Sequence, residues 1–211
     1  LLRFADAIIP VSQANARIFG TSDKVHVAYN RHPENEQHAV YQAIRPHQNT
    51  NEQAALQLLY LANFTLAKGQ DHAIAAMHEL VNGTTYVLTQ PIQLTFIGGD
   101  LGMAKNQALK QAFIAEVASK GLAQNIFFKD KVTDVEAAMK QYDIVLNLSD
   151  SESFSRVSME ALFYGLPLIA TDVGGTREMF EDGISGMLVP RADVPAMCKA
   201  IVGLVKGNVL R

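Results

Sequence analysis

The chain has 211 residues, of which 48% are hydrophobic and 18% charged, so it can bury a core, and these values exclude intrinsic disorder as a description of the whole chain. The 21 acidic and 18 basic residues give a formal net charge of −3, which argues against a nucleic-acid partner held by a broad basic surface. The single cysteine, Cys198, excludes an internal disulfide framework and a cysteine-rich zinc site, and it fits a reducing, cytoplasmic setting.

The N-terminal part of the chain predicts two short apolar strands, at residues 7–11 and 25–29, on either side of a helix. Ser12 is the expected cap of this helix, which runs to about Phe19. Residues 30–53 are rich in His, Asn, Gln, Pro and Glu, which indicates a linker or an exposed irregular segment. The chain begins with Leu, and no apolar run approaches the ~20 residues that span a bilayer. Because the first residue is Leu rather than Met and residues 1–11 look like the interior of a protein, we expect a piece of a longer protein.

From residue 57 onward, predicted strands and helices alternate. This alternation is typical of βαβ units, and strands that are apolar on both faces indicate a parallel sheet covered by helices on both sides. The expected fold is therefore α/β, with a doubly wound parallel sheet. The predicted strands are 57–62, 93–97, 126–128, 144–148 and 168–171, and the predicted helices lie within 68–81, 103–120, 134–140, 154–164, 176–180 and 194–205.

The loops that follow the predicted strands are the candidate site, because doubly wound sheets bind ligands outside the carboxyl ends of their strands. Several of these loops are rich in Gly or Ser and lead into helices, whose free N–H groups and dipole favour anions. They indicate a phosphate-bearing ligand, and ordinary loop sterics explain the same glycines about equally well.

Two carboxylates, Glu152 and Glu160, mark the segment after the fourth predicted strand. Glycoside hydrolases need their two carboxylates ~5–9.5 Å apart, whereas eight residues of helix separate two positions by roughly 12 Å. A pair that binds different parts of one extended ligand fits this spacing better. The alternative is a solvent-exposed Glu160, but its neighbours Met159, Ala161 and Leu162 are apolar, and an idle carboxylate among them is costly.

The segment 149–171, with Glu152-x7-Glu160-Ala161 and then Tyr164-Gly165-Leu166-Pro167, resembles the donor-binding domain of retaining glycosyltransferases. It is similar in particular to family 4, the group 1 glycosyl transferases of the GT-B fold. The resemblance covers about residues 4–30 and 57–205. Supporting motifs are Lys68-Gly69, Phe96-Ile97-Gly98-Gly99, Tyr142-Asp143-Ile144-Val145 and Gly174-Gly175-Thr176-Arg177-Glu178.

The resemblance implies the organisation and the partners of the chain. Residues 1–46 would be a remnant of the N-terminal domain with the linker, and residues 47–211 the nucleotide-sugar-binding, Rossmann-like domain. The acceptor-binding N-terminal domain would lie outside this chain, and peripheral membrane association would come only through that part. The ligand is a nucleoside diphosphate sugar, used as a substrate, with no other cofactor. Because the family generally needs no divalent metal and no Asp-x-Asp is present, no metal site is expected.

The resemblance also implies roles for individual residues. Lys68 would neutralise the donor diphosphate, and Glu152 would hold hydroxyls of the sugar, so these two are the implied catalytic residues. Glu160 would bind the ribose hydroxyls. The other implied donor-binding residues are Gly98 and Gly99, which let the nucleotide approach the sheet, Val132, whose backbone meets the nucleobase, and Phe154, Ser155, Arg156 and Val157, whose N–H groups cradle the distal phosphate.

Four positions depart from the family pattern: Asn63 stands where an Arg is usual, and Ala62, Ser153 and Ser155 replace glycines. With Asn63 the diphosphate loses one fixed cation, and Arg156 is the predicted substitute. The alternative is that Arg156 points into solvent, as charged helix residues usually do.

The implied activity is transfer of a sugar, with retention of configuration, from a nucleotide donor to a glycan, lipid or other acceptor in polysaccharide biosynthesis. The alternative, favoured by Asn63, is a degenerate non-catalytic module that binds a nucleotide or a glycan, or serves as a partner subunit. A sugar-nucleotide epimerase of similar fold has no support in the motifs. We expect the chain alone to transfer no sugar at a useful rate, because closure of two domains completes such a site.

Overall fold

A computed structural model of the protein describes residues 7–20, 22–30 and 54–205. Most of the predicted linker, and the expected domain boundary between residues 46 and 47, lie outside the described residues. Within the described ranges, no helix combines the length and the apolar character that crossing a bilayer requires.

Six parallel strands form one sheet. The strands are β1 (Leu56–Leu61), β2 (Ile92–Ile97), β3 (Ile126–Lys129), β4 (Ile144–Asn147), β5 (Leu168–Thr171) and β6 (Gly186–Val189). Their spatial order is β3-β2-β1-β4-β5-β6, so the direction of winding reverses between β1 and β4. A reversal of this kind leaves a crevice at the carboxyl ends of the two central strands, which is where such sheets bind ligands.

Helices connect the strands and cover both faces of the sheet. The α-helices are α1 (Gln13–Ala16), α2 (Gln70–Asn82), α3 (Ala104–Ser119), α4 (Val135–Met139), α5 (Arg156–Phe163) and α6 (Val194–Val205), and 3₁₀ turns occupy Arg17–Phe19 and Thr176–Glu178. Leu58 lies in a core shared with α2, α3 and α6, whereas its neighbour Leu59 lies in a second core with α5. Both side chains are fully buried. The expected doubly wound α/β fold is therefore confirmed.

The structure differs from the sequence prediction at short elements. The predicted strands 7–11 and 25–29 run parallel but form only one bridge, between Ile8 and Val25. Pro10 lies in the first of them and has no N–H with which to extend a ladder. In contrast, the prediction missed β6, a four-residue edge strand in which only Gly186 and Val189 are buried. The predicted helix 176–180 is a single 3₁₀ turn.

Candidate functional site

The loops that leave β1 and β4 meet at the crevice between these strands. Lys68 belongs to the loop between β1 and α2, and Glu152 to the loop between β4 and α5. The structure brings the two side chains together, with Lys68 Nζ donating to Glu152 Oε1 at 2.5 Å. Their side chains are 32% and 15% exposed, so the ion pair lies half-buried at the edge of the sheet. Residues 84 positions apart thus form one charged centre where a ligand is expected.

A buried polar network behind Glu152 fixes its position. Ser149 Oγ lies 3.0 Å from Glu152 Oε1 and 2.9 Å from Asn147 Oδ1. Asn147 Nδ2 in turn donates to Ser158 Oγ on α5 at 2.8 Å. These three polar residues are buried, and buried polar groups are retained where hydrogen bonds satisfy them. The network therefore connects the carboxylate to the first turns of α5. No sequence pattern indicates it, because Asn147, Ser149 and Ser158 occupy ordinary strand, loop and helix positions.

A second link between the two loops comes from the core. The Tyr60 hydroxyl on β1 donates to the Lys68 carbonyl oxygen and accepts the N–H of Leu148 at 2.9 Å. Tyr60 is 1% exposed, and burial raises the pKa of its hydroxyl, so the group stays protonated and able to donate. One phenol thereby holds the backbone of both site loops at the ends of neighbouring strands.

Tyr60→Phe is expected to destabilise the protein by about 1–3 kcal/mol, because it leaves the Leu148 N–H and the Lys68 carbonyl without their buried partner. Urea denaturation of both proteins measures this change. The control is Tyr86→Phe, which removes a hydroxyl bonded to the Pro195 carbonyl at the surface. Equal losses for the two variants would show that Tyr60 does not hold the loops.

Gly98 and Gly99 lie beside the loop that leaves β1. A Cβ on Gly98 would stand 1.9 Å from the Ala62 carbonyl oxygen, so the two chains touch there and only glycine fits. The Gly99 N–H donates to Asn63 Oδ1 at 3.2 Å. From the sequence, Asn63 was considered only as the replacement of a usual Arg and hence as the loss of a cation. In the structure its side chain links the loops that follow β1 and β2. Sequence reasoning missed this because the bond joins residues from different loops.

Arg156 and Glu160 lie one turn apart on α5. Arg156 Nη2 is 3.6 Å from Glu160 Oε1, and the side chains are 75% and 13% exposed. The structure therefore directs the exposed guanidinium towards Glu160. A contact between Arg156 and a phosphate would require the side chain to move away from this carboxylate or to share it.

The start of α5 offers backbone donors. Ser155 caps the helix, and its Oγ accepts the N–H of Ser158 at 3.2 Å. For the preceding N–H groups, those of residues 154–157, the described part of the chain supplies no acceptor. The first N–H groups of a helix lack intrahelical partners and favour an anion. These donors follow the Glu152 loop directly, so an anion held by them would lie on the same edge as Lys68.

Val132 follows β3, which lies two strands away from β1, and it packs against the second core, the one that contains Leu59. It shares the carboxyl edge with Lys68 and Glu152 but belongs to the far side of the crevice.

His72 and Asp150 form a further contact that sequence reasoning missed. His72 Nε2 lies 3.0 Å from Asp150 Oδ1, and Arg191 Nε lies 3.6 Å from the same oxygen. Asp150 stands two residues before Glu152, so this cluster braces the outer side of the same loop. In the described ranges, no three His, Cys, Asp or Glu side chains converge as a metal site would need.

The doubly wound parallel sheet, with the Lys68–Glu152 pair at the point where its winding reverses, has the architecture of one half of the GT-B fold. Residues 55–207 match the family model of the glycosyl transferases group 1, and the chain belongs to this family. The resemblance stated from the motifs is therefore confirmed.

Curated relatives agree with this assignment. The chain is 34% identical over 125 residues to a phosphatidyl-myo-inositol mannosyltransferase of Mycobacterium leprae, covering 57% of this chain and 30% of that protein. It is 37% identical over 98 residues to a D-inositol 3-phosphate glycosyltransferase of Mycobacterium marinum, covering 45% of this chain and 21% of that protein. The chain thus matches less than a third of the length of either relative.

Solved structures share the fold. The structure of Anabaena Alr3699/HepE in complex with UDP and glucose has a TM-score of 0.76 at 22% identity, covering 95% of this chain and 53% of that one. The apo form of the lipopolysaccharide outer core galactosyltransferase WaaB has a TM-score of 0.75 at 18% identity, covering 100% of this chain and 56% of that one. The chain therefore spans about half of these structures.

Proposed function

We propose that the chain is the donor-binding half of a retaining glycosyltransferase and binds a nucleoside diphosphate sugar at the carboxyl edge of its sheet. The observation that carries the proposal is the Lys68–Glu152 pair on the same sheet edge as the N–H groups of residues 154–157, for which the described residues supply no acceptor. Two relatives named for mannosyl and glycosyl transfer, and a structural neighbour bound to UDP and glucose, support this choice of ligand.

Each residue has a distinct task in this proposal. Lys68 carries three N–H donors, so it can bind the diphosphate while it keeps its contact with Glu152. The N–H groups of residues 154–157 bind the distal phosphate. Together they stabilise the negative charge that develops on the departing nucleoside diphosphate, which is the main catalytic contribution expected here. Glu152 holds hydroxyls of the sugar, and Glu160 holds the ribose hydroxyls.

The nucleoside end lies towards β2 and β3 in this proposal. Gly98 and Gly99 give the nucleotide a flat approach to the sheet, and the backbone at Val132 contacts the nucleobase. No acceptor-binding element is assigned to the chain, because it matches about half of the solved GT-B structures. We place acceptor binding, and any contact with a membrane, in the other half of the fold, and the whole enzyme in the cytoplasm. Efficient sugar transfer by this chain alone would contradict the proposal that donor and acceptor bind to different halves of the fold.

Calorimetric titration of the 211-residue chain with UDP, GDP and ADP tests the proposal. At least one of them is expected to bind, and Glu160→Ala is expected to weaken that binding by about 1.5–3 kcal/mol, because a charged hydrogen-bonding group is lost. The matched control is Glu116→Ala, which removes a carboxylate from another pair of helix residues one turn apart, with Lys120. No binding of any of the three, or equal binding by Glu160→Ala and wild type, would overturn the proposal.

A degenerate module that binds a nucleotide without transferring a sugar is the second candidate. The observation that favours it is the bond between Asn63 Oδ1 and the Gly99 N–H, since an amide committed to the backbone supplies no cation to the diphosphate. Arg156 is the proposed replacement, and it must share Glu160 to act. An assay of donor hydrolysis, in which the release of free sugar from the sugar nucleotide is measured, distinguishes the two candidates. A transferase half is expected to hydrolyse its donor slowly, and a degenerate module is expected to release no sugar.

A further inference from the structure

Glu178, in the 3₁₀ turn after β5, holds the described part of the N-terminal segment, residues 7–20 and 22–30, against the sheet domain. Its Oε2 and Oε1 accept the N–H groups of Gln13 and Ala14, each at 2.8 Å. Oε2 also accepts the Tyr29 hydroxyl at 3.1 Å. A carboxylate at the first N–H groups of a helix is favourable because these groups have no intrahelical acceptor. One side chain thus binds both the helix and the end of the N-terminal segment.

The same end of the segment touches the loop that leads into α5. The Tyr29 ring lies 5.3 Å from the Phe154 ring, centroid to centroid. Asn30 Nδ2 donates to the Phe154 carbonyl oxygen at 3.4 Å. Ser12, the cap of α1, packs on Gly175, where a Cβ would stand 2.7 Å from the Ser12 Cβ. Phe154 itself follows the Glu152 loop and begins the run of free N–H groups.

We infer that Glu178, Tyr29 and Asn30 are positioning residues that hold Phe154 in the conformation that receives the phosphate, so that nucleotide binding and docking of this N-terminal segment are coupled. The inference rests on the proposed function, since its effect is read through nucleotide binding. None of the three positioning residues has to touch the nucleotide. They act through the ring and the carbonyl of Phe154.

Coupling of this kind must be reciprocal. If a docked segment raises the affinity for a nucleoside diphosphate by some factor, the bound nucleotide raises the stability of the docked segment by the same factor. A residue that only supports the fold changes overall stability without this dependence on ligand. The coupling should also need the phosphates, because Phe154 lies at the phosphate end of the proposed site and far along the sheet from Val132.

Hydrogen exchange and calorimetry on the 211-residue chain test the inference. The ligand is whichever of UDP, GDP and ADP binds most tightly, compared with its own nucleoside. In wild type the diphosphate is expected to slow exchange of the Gln13 and Ala14 amides, and the nucleoside is expected to leave it unchanged. Glu178→Ala is expected to raise the Kd for the diphosphate about five- to twentyfold, within the usual range of coupling energies, and to leave the Kd of the nucleoside unchanged.

Two further variants keep the test decisive. Tyr29→Phe retains the ring on Phe154 but loses the hydroxyl bond to Glu178, so a smaller loss of affinity of the same kind is expected even where Glu178→Ala folds poorly. Glu181→Ala removes a nearby exposed carboxylate that makes no such contact in the described residues, and it should match wild type. If wild type binds a nucleotide, but the Glu178 and Tyr29 variants bind it equally and exchange is independent of ligand, the inference alone is overturned. If no nucleotide binds to wild type, the proposed function fails first.

Discussion

Gly174→Ala is expected to destabilise the protein by more than about 3 kcal/mol, at the high end of single substitutions. Gly174 has a φ of +54°, and a Cβ there would stand 1.6 Å from the Glu152 carbonyl oxygen. Alanine therefore adds a direct clash to the cost of the left-handed conformation. The clash pushes on the backbone of the residue that pairs with Lys68. Urea denaturation, monitored by circular dichroism, measures the loss.

Gly102→Ala separates the two contributions. Gly102 has a φ of +67°, and nothing lies within 4 Å of the position of its Cβ. This variant should therefore lose only the conformational cost of about 1–2 kcal/mol. If Gly174→Ala were no less stable than Gly102→Ala, the close approach of the two loops would not exist in solution.

Lys68→Met is expected to weaken binding of a nucleoside diphosphate by about 2–5 kcal/mol, because it removes the cation proposed for the phosphates and leaves Glu152 without its partner. Methionine keeps most of the length of the side chain, so packing changes little. Calorimetric titration with the tightest-binding of UDP, GDP and ADP gives the difference. Arg156→Ala is expected to cost less, since Arg156 is exposed and paired with Glu160.

Lys140→Met is the matched control for Lys68→Met. Lys140 forms an ion pair of the same 2.5 Å length with Glu136, but on the surface of α4. Its loss should leave nucleotide affinity unchanged. Undiminished affinity in Lys68→Met would show that the diphosphate binds elsewhere.

Most strands of the sheet could be predicted from the sequence, because the hydrophobic periods of strands and helices are local signals. The predicted bounds of β5 and α6 matched the observed ones, those of β2 and β4 differed by one residue at one end, and those of β1 differed by one residue at both ends. The edge strand β6 was missed because four residues between Gly183 and Pro190 give too short a pattern. The 3₁₀ turn at Glu178 was predicted as a helix because one turn of either type has the same local pattern.

The candidate site likewise has features that local sequence patterns predict and features that they do not. The positions of Lys68 and Glu152 at strand ends follow from local pattern, and parallel pairing puts such ends at one edge. The Arg156–Glu160 pair also has a local pattern, because the two residues are four apart on one helix. In contrast, the contacts of the Tyr60 hydroxyl and the Asn63–Gly99 bond depend on strand register and side-chain rotamer. These quantities are set by packing across the sheet, so no pattern along the chain contains them.

The two cations proposed for the phosphates already face carboxylates: Lys68 meets Glu152, and Arg156 meets Glu160. This pairing reduces the positive potential that the two side chains extend into solvent, and the formal net charge of the whole chain is −3. Long-range attraction accelerates association only where such a field exists. If the proposed site binds a nucleoside diphosphate, its association rate should therefore gain little from long-range attraction and should change little with added salt.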